Sequence, residues 1–210
     1  SRRQRQMCIR DSLMGVIVFL IFTNMVCGVN NTTASSAGFL FSTTVILVPI
    51  LESVLRRRMP EKHIMISILL VMVGLFLLTA PDGLALDIGS ALCLIAALFY
   101  AIFIMVMDRF SKTDDTILLS TIELGTASFL GIIATVCLEK PTLPQTVPQW
   151  GAILCLGLIC SAYGFIIQPI AQKYISPEKV GLIFSLEPIF SALLSFLFLH
   201  EILAVSYTHL

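Results

Sequence analysis

The sequence predicts an all-α polytopic membrane protein with seven transmembrane helices. Three observations carry that reading. The composition is 57% hydrophobic and only 12% charged, with a mean hydropathy of +0.96, far above a soluble domain of ordinary make-up. Seven apolar stretches each approach the roughly 20 residues that cross a hydrocarbon core. Basic residues gather in alternate loops, as the retention of Lys and Arg on the cytoplasmic side requires.

Taken in order, span A covers residues 13–29 and stops at the polar pair Asn30 and Asn31. Span B, 34–55, ends at Arg56, Arg57 and Arg58, and the turn "MPEKH" leads into span C, 64–80. The turn "PDG" precedes span D, 88–107, and "SKTDD" separates D from span E, 117–138. "KPTLPQTVPQ" leads to span F, 150–170, and "SPEK" to span G, 181–203. No loop is long enough for a soluble domain, and the formal net charge of +0 points to no nucleic-acid partner.

The loops after B, D and F hold Arg56, Arg57, Arg58, Lys62, Arg109, Lys112, Lys173 and Lys179, whereas the loops after A, C and E hold only Lys140. Spans A, C, E and G therefore run outward, and B, D and F inward.

An internal repeat lies within the spans. An offset of 143 residues lays "TASSAGFLFSTTVILVPIL" over "SPEKVGLIFSLEPIFSALL", pairing Gly38 with Gly181, Phe41 with Phe184, Ser42 with Ser185 and Ile46 with Ile189. B runs inward and G outward, so the repeat is inverted, the construction many secondary transporters use. Pro49 in B and Pro188 in G are expected to break their helices, though not at the same aligned position.

The segments "NTTASSAGFLFSTTVILVPILESVLRRRMP", "AQKYISPEKVGLIFSLEPIFSALLSFLFLHE" and "IAALFYAIFIMVMDRFSK" resemble the EamA branch of the drug/metabolite transporter superfamily. The resemblance covers about residues 14–203 and implies a ten-helix bundle of two inverted five-helix repeats. Spans A to G then match its third to ninth helices, with 13–80 ending the first repeat and 88–203 forming most of the second. The ends, 1–12 and 204–210, are similar to translated adapter sequence at the edges of fragmentary reading frames. They are read as non-native and set aside, although Arg2, Arg3, Arg5 and Arg10 fit a cytoplasmic anchor equally well.

Polar residues within the spans are the candidate site. Glu187 stands about 9 Å into span G at 1.5 Å per residue, and an acidic group at depth faces a bundle interior or a wet cavity. With Ser191 and Ser195 it forms one helical stripe, which serves equally well as a substrate path or as a small-residue packing seam. Span F carries a second stripe, Gly157, Ser161, Gly164 and Gln168, with Tyr163 beside it. Glu123 in E lies at the depth of Glu187, so Glu123 and Glu187 are the proton-coupling candidates. Glu52 and Glu201, at span ends, are expected to meet solvated headgroups. Asn24, Thr44, Tyr163, Gln168, Glu187 and Ser191 are the substrate-path candidates, and the resemblance favours the first five because the helices matching A, B, F and G border a central cavity.

Other chemistries lack their residues. All lysines lie in loops, which excludes a retinal Schiff base; with Asp11 set aside in the end segment, the aspartates fall outside the spans; and the six cysteines show no metal-ligand spacing. The reading is a transporter and not an enzyme, without cofactor or metal. It moves small metabolites or drugs, with export implied by the resemblance. Its partners are the lipid bilayer of a prokaryotic inner membrane and a small-molecule substrate, with homodimerisation left open. A channel or a non-transporting scaffold is the alternative.

Overall fold

Helices fill or begin every predicted span in the structure, a computed structural model that describes residues 2–32, 34–57, 62–79, 87–112, 115–138, 143–184, 186 and 190. In chain order these are α1 (Arg2–Asn30), α2 (Ala34–Ser42), α3 (Thr44–Arg56), α4 (Lys62–Thr79), α5 (Ile88–Ser111), α6 (Thr116–Leu138), α7 (Val147–Leu154), a π-helical stretch (Cys155–Tyr163), α8 (Gly164–Gln172) and α9 (Pro177–Phe184). Span B is thus α2 and α3, and span F is α7, the π stretch and α8.

Five segments are long and apolar enough to cross a membrane among the described residues: Cys8–Asn30, Ala37–Arg56, Ile88–Ser111, Thr116–Leu138 and Val147–Gln172. A shorter apolar helix, Ile64–Gly74, lies in span C, while most of span G falls outside the described residues. Large apolar side chains such as Phe129, Ile132, Val136, Leu156 and Leu158 are exposed, and water would penalise that surface. Lipid is the solvent that suits it. The protein is a multi-pass membrane protein.

The chain divides into two compact units. In the unit of Ile21–Met105 and Ser176–Leu210, α5 supplies a seam of small buried residues, Ser90, Cys93, Ala97 and Ala101, at three- and four-residue spacing. Such a seam lets neighbouring backbones come close. A Cβ on Gly28 would lie 2.5 Å from the Cys93 sulfur, and one on Gly89 would lie 2.6 Å from the Asn31 carbonyl carbon and 2.8 Å from the Gly28 oxygen. Ala37, Phe39, Leu40 and Cys93 form the core there, with Met25, Val71 and Met72 packed against it.

Helix ends are chemically marked. Asp87 Oδ1 accepts the Ser90 N–H at 2.7 Å, and this backbone bond holds the Asp87 carboxyl below the usual carboxylate range. The cap therefore contributes fully above the ordinary carboxylate pKa and is lost as pH falls through the lowered one. At the other end, α5 runs on to Ser111, beyond the predicted end of span D, because Asp108 is held by Lys112 at 2.6 Å. α3 stops at Arg57, whose φ of 51° puts a non-glycine residue in the left-handed region. Arg57→Gly should relieve about 1 kcal/mol of that conformational cost, read as a higher melting temperature in detergent.

Glu52 departs from expectation. It is buried, at 5% exposure, and its Oε1 pairs with Arg56 Nε at 2.9 Å one turn later on α3. The i, i+4 spacing lets the arginine neutralise the carboxylate within the helix, so no headgroup is needed. Glu201 lies outside the described residues.

Candidate functional site

The repeat seen in the sequence recurs in the backbone. α2 starts at Ala34 and α9 at Pro177, which differ by the same 143 residues. Thr43 N–H donates to the Leu40 oxygen at 3.2 Å, and Leu186 N–H to the Ile183 oxygen at 3.1 Å, again 143 residues apart. Leu47 N–H donates to the Thr43 oxygen and Phe190 N–H to the Leu186 oxygen, both at 3.0 Å. The two segments share one interruption, a tightened turn at Thr43 and at Leu186.

Hydroxyls hold the first interruption. Ser42 Oγ donates to the Gly38 oxygen at 2.8 Å, Thr43 Oγ1 to the Leu40 oxygen at 2.6 Å and Thr44 Oγ1 to the Phe41 oxygen at 2.7 Å. Three consecutive side chains thus engage carbonyls of the preceding turn, which offers the backbone an alternative to the helical ladder. Thr44 is buried and also lies 3.4 Å from the Ala97 oxygen of α5.

This placement corrects the expectation for Pro49. It sits buried inside continuous α3, and the interruption falls six residues earlier at Thr43. Its buried, packed position lets α3 absorb both the missing N–H and the ring of the proline without breaking. Pro188, Glu187, Ser191 and Ser195 lie outside the described residues.

α3 and α9 pack together through this region. α3 turns Thr44, Val45, Val48, Pro49 and Glu52 inward, and α9 turns Pro177, Val180 and Gly181. A Cβ on Gly181 would meet Val48 at 3.7 Å, an ordinary contact. Next to them, Tyr100 of α5 stacks on Phe41 with centroids 5.3 Å apart and touches Phe184 at 5.6 Å and Phe103 at 6.0 Å. Asn24 is half-buried.

The second unit, Ser1–Leu20 with Val106–Ile175, holds a buried carboxyl. α6 buries Thr116, Leu119, Ser120 and Glu123, one face at helical spacing. Glu123 is fully buried, and neither of its side-chain oxygens has a hydrogen-bond partner among the described residues. Gly15 of α1 packs on this turn, since a Cβ there would fall 2.5 Å from both the Glu123 backbone oxygen and Thr126 Cβ. Asp11, one turn earlier on α1, is also buried, but belongs to the segment read as non-native.

Pro169 organises the contact between α6 and α8. It has no N–H to give the carbonyl four residues back, that of Phe165, and Ser120 Oγ of α6 takes that oxygen at 2.9 Å. Gln168 is half-buried with no hydrogen-bond partner for Nε2 among the described residues, while Gln172 is fully buried.

The stripe predicted on span F does not form as one face. The π stretch from Cys155 to Tyr163 has wider turns than an α-helix, so residues four apart no longer superimpose. Gly157 is exposed, Ser161 and Gly164 are half-buried, and Tyr163 is 63% exposed. Sequence reasoning missed Tyr100, Gly15, Gly89 and Ser120. Only the aligned phenylalanines gave a hint of the ring cluster.

The match to known proteins is decided by the second half of the chain: residues 87–207, more than half of 210, fit the sequence profile of the EamA-like transporter family. The chain belongs to that family. It is 30% identical over 193 residues to an uncharacterized transporter of Archaeoglobus fulgidus, a match covering 90% of this chain and 61% of the relative. It is 27% identical to the uncharacterized transporter YetK of Bacillus subtilis, over 91% of this chain and 60% of that one. A relative from Methanothermobacter thermautotrophicus, also described as an uncharacterized transporter, matches at 27% over 90% of this chain and 56% of its own length. The chain thus spans about 60% of the length of the curated relatives it matches. A crystal structure superposes with a TM-score of 0.74 at 15% identity, covering 91% of this chain and 77% of that one, so the EamA-like chain shares its fold.

Proposed function

We propose that the protein is a secondary transporter of a prokaryotic cell membrane that exports small amphiphilic metabolites, amino acids and their relatives among them, by alternating access of two inverted repeats. Residues 13–80 contribute the end of the first repeat and 88–203 most of the second. The observation that carries this reading is the 143-residue recurrence of helix start, interruption and hydrogen bonds in segments of opposite predicted direction. Interrupted helices of inverted repeats place free backbone groups near the bilayer midplane, where such carriers hold substrate.

Residue roles follow from that frame. Thr44 stands at the first interruption, and Glu187 is its counterpart in sequence by the same 143-residue offset. One half therefore offers a hydroxyl where the other offers a carboxylate, a combination that recognises an amino or other cationic group. Asn24 and Ser191 supply further polar contacts along the path.

Glu123 couples the movement to protons. A charge in the hydrocarbon region costs at least about 2.5–3.5 kcal/mol on insertion scales, and among the described residues no hydrogen bond offsets that cost at Glu123. Taking up a proton removes the charge while the carboxyl is enclosed, and contact with water lets the proton leave.

The test is uptake into proteoliposomes containing the purified full-length protein, with a panel of radiolabelled amino acids as probes. The expected result is saturable uptake of at least one, faster with an imposed pH gradient than without. Uptake equal to that of protein-free liposomes across the panel counts against this substrate class, and flux rising linearly with concentration indicates a channel.

A further inference from the structure

Two repeat-related side chains meet on one ring. Phe41 and Phe184, paired by the 143-residue offset, both pack on Tyr100, and fully buried Phe103 adds a fourth ring. Tyr100 lies 12 residues from the start of α5 at Ile88 and 11 from its end at Ser111. At 1.5 Å per residue, that is about 17 Å from either end, the middle of the span.

Phe41 stands seven residues into α2 and Phe184 seven residues into α9. The loop charges put the start of α2 on the outer side and the start of α9 on the cytoplasmic side. The two rings thus approach Tyr100 from opposite faces of the membrane, each about 10 Å from its own helix start. Each also stands just before its helix's interruption, at Thr43 or at Leu186.

We infer that Phe41, Tyr100 and Phe184 form the mid-membrane barrier of the transporter, with Tyr100 the shared ring on which either half closes. Rings whose centroids are 5.3 and 5.6 Å apart are in contact and leave no width between them for a hydrated solute. A stacked pair contributes only about 0.5–1.5 kcal/mol beyond its buried area, so one contact opens at modest cost while the other stays shut. Bending at Thr43 lifts Phe41 from Tyr100 and opens the path outward; bending at Leu186 lifts Phe184 and opens it inward. Both contacts open together would be a leak.

The inference rests on the alternating-access reading for its purpose, but its test reads thiol accessibility and needs no substrate. In full-length protein with the native cysteines replaced, Phe41→Cys and Phe184→Cys are each exposed to a charged, membrane-impermeant methanethiosulfonate from one side at a time. Phe41→Cys should label from outside only and Phe184→Cys from the cytoplasmic side only. Adding Tyr100→Ala should let each label from its forbidden side, about 10-fold faster or more, the loss of a stacking contact near the top of its range. Tyr100→Phe, which keeps the ring, should preserve sidedness.

Labelling of both cysteines from the same side, or from neither, overturns the barrier, as does unchanged sidedness in Tyr100→Ala. If Tyr100→Ala does not fold, the two single variants, which retain Tyr100, decide the matter alone. Because transport is not read, correct sidedness with no transport would leave the barrier standing while the carrier reading fails.

Discussion

Glu123→Leu is expected to yield a protein that melts at a higher temperature than the parent and no longer responds to a proton gradient. The wild-type side chain is fully buried with neither oxygen hydrogen-bonded among the described residues, so its removal deletes an unsatisfied polar group. Such a group costs about 1–3 kcal/mol, and leucine fills much of the same space. Transport driven by a pH gradient should fall to the rate seen without one, because the variant has no carboxyl to load. Glu123→Gln should lose the same pH response with little change in melting. A structural carboxylate would behave in the opposite way: both variants would melt lower and keep their pH response. Thermal unfolding in detergent and uptake at two imposed gradients separate these outcomes. A residue that costs stability and supplies coupling is what a trade-off between the two predicts.

Gly89→Ala is expected to be among the most damaging single-methyl changes in the chain. The added carbon would lie 2.6 to 2.8 Å from backbone atoms of Asn31 and Gly28, and backbone cannot rotate away as a side chain can. Overpacking of this kind costs about 1–3 kcal/mol. Gly28→Ala should cost less, because its nearest obstacle is the Cys93 sulfur, the end of a side chain. Gly125→Ala, in open space on α6, should raise the melting temperature, since alanine is the better helix former by about 1 kcal/mol. If all three glycines tolerated alanine equally, the close approach at the start of α5 would be wrong.

The spans were readable because hydrophobic length and loop charge act through the solvent, and solvent preferences are written in composition. The inverted repeat was readable for a related reason: Phe41 with Phe184 marks a position where packing repeats, since both rings meet Tyr100. The site was less so. Pro49 drew attention as a breaker, yet the tightened turn falls at Thr43, where the hydroxyls of Ser42, Thr43 and Thr44 engage carbonyls of the preceding turn, a matter of local geometry. The π stretch at Cys155–Tyr163 has no residue signature, and it displaced a stripe argued from α-helical spacing.

Distance along the chain hid the rest. Glu123 stood out because a carboxyl within a span is conspicuous, whereas the tolerance for Gly15 and Gly89 is set by residues far away in sequence. Ser120 could be understood only once Pro169 had freed the Phe165 carbonyl beside it. Tyr100 looked like one more aromatic in an apolar helix until the two phenylalanines met on it.

If inverted repeats exchange access to one site, the protein must show counterflow. Proteoliposomes with the full-length protein are loaded with unlabelled amino acid at high concentration, diluted, and given a trace of the same labelled compound outside. A carrier should accumulate the label transiently above its external concentration, because each outward passage returns the site to face the label. Label that merely equilibrates, at a rate indifferent to the internal load, would mean that no such exchange takes place.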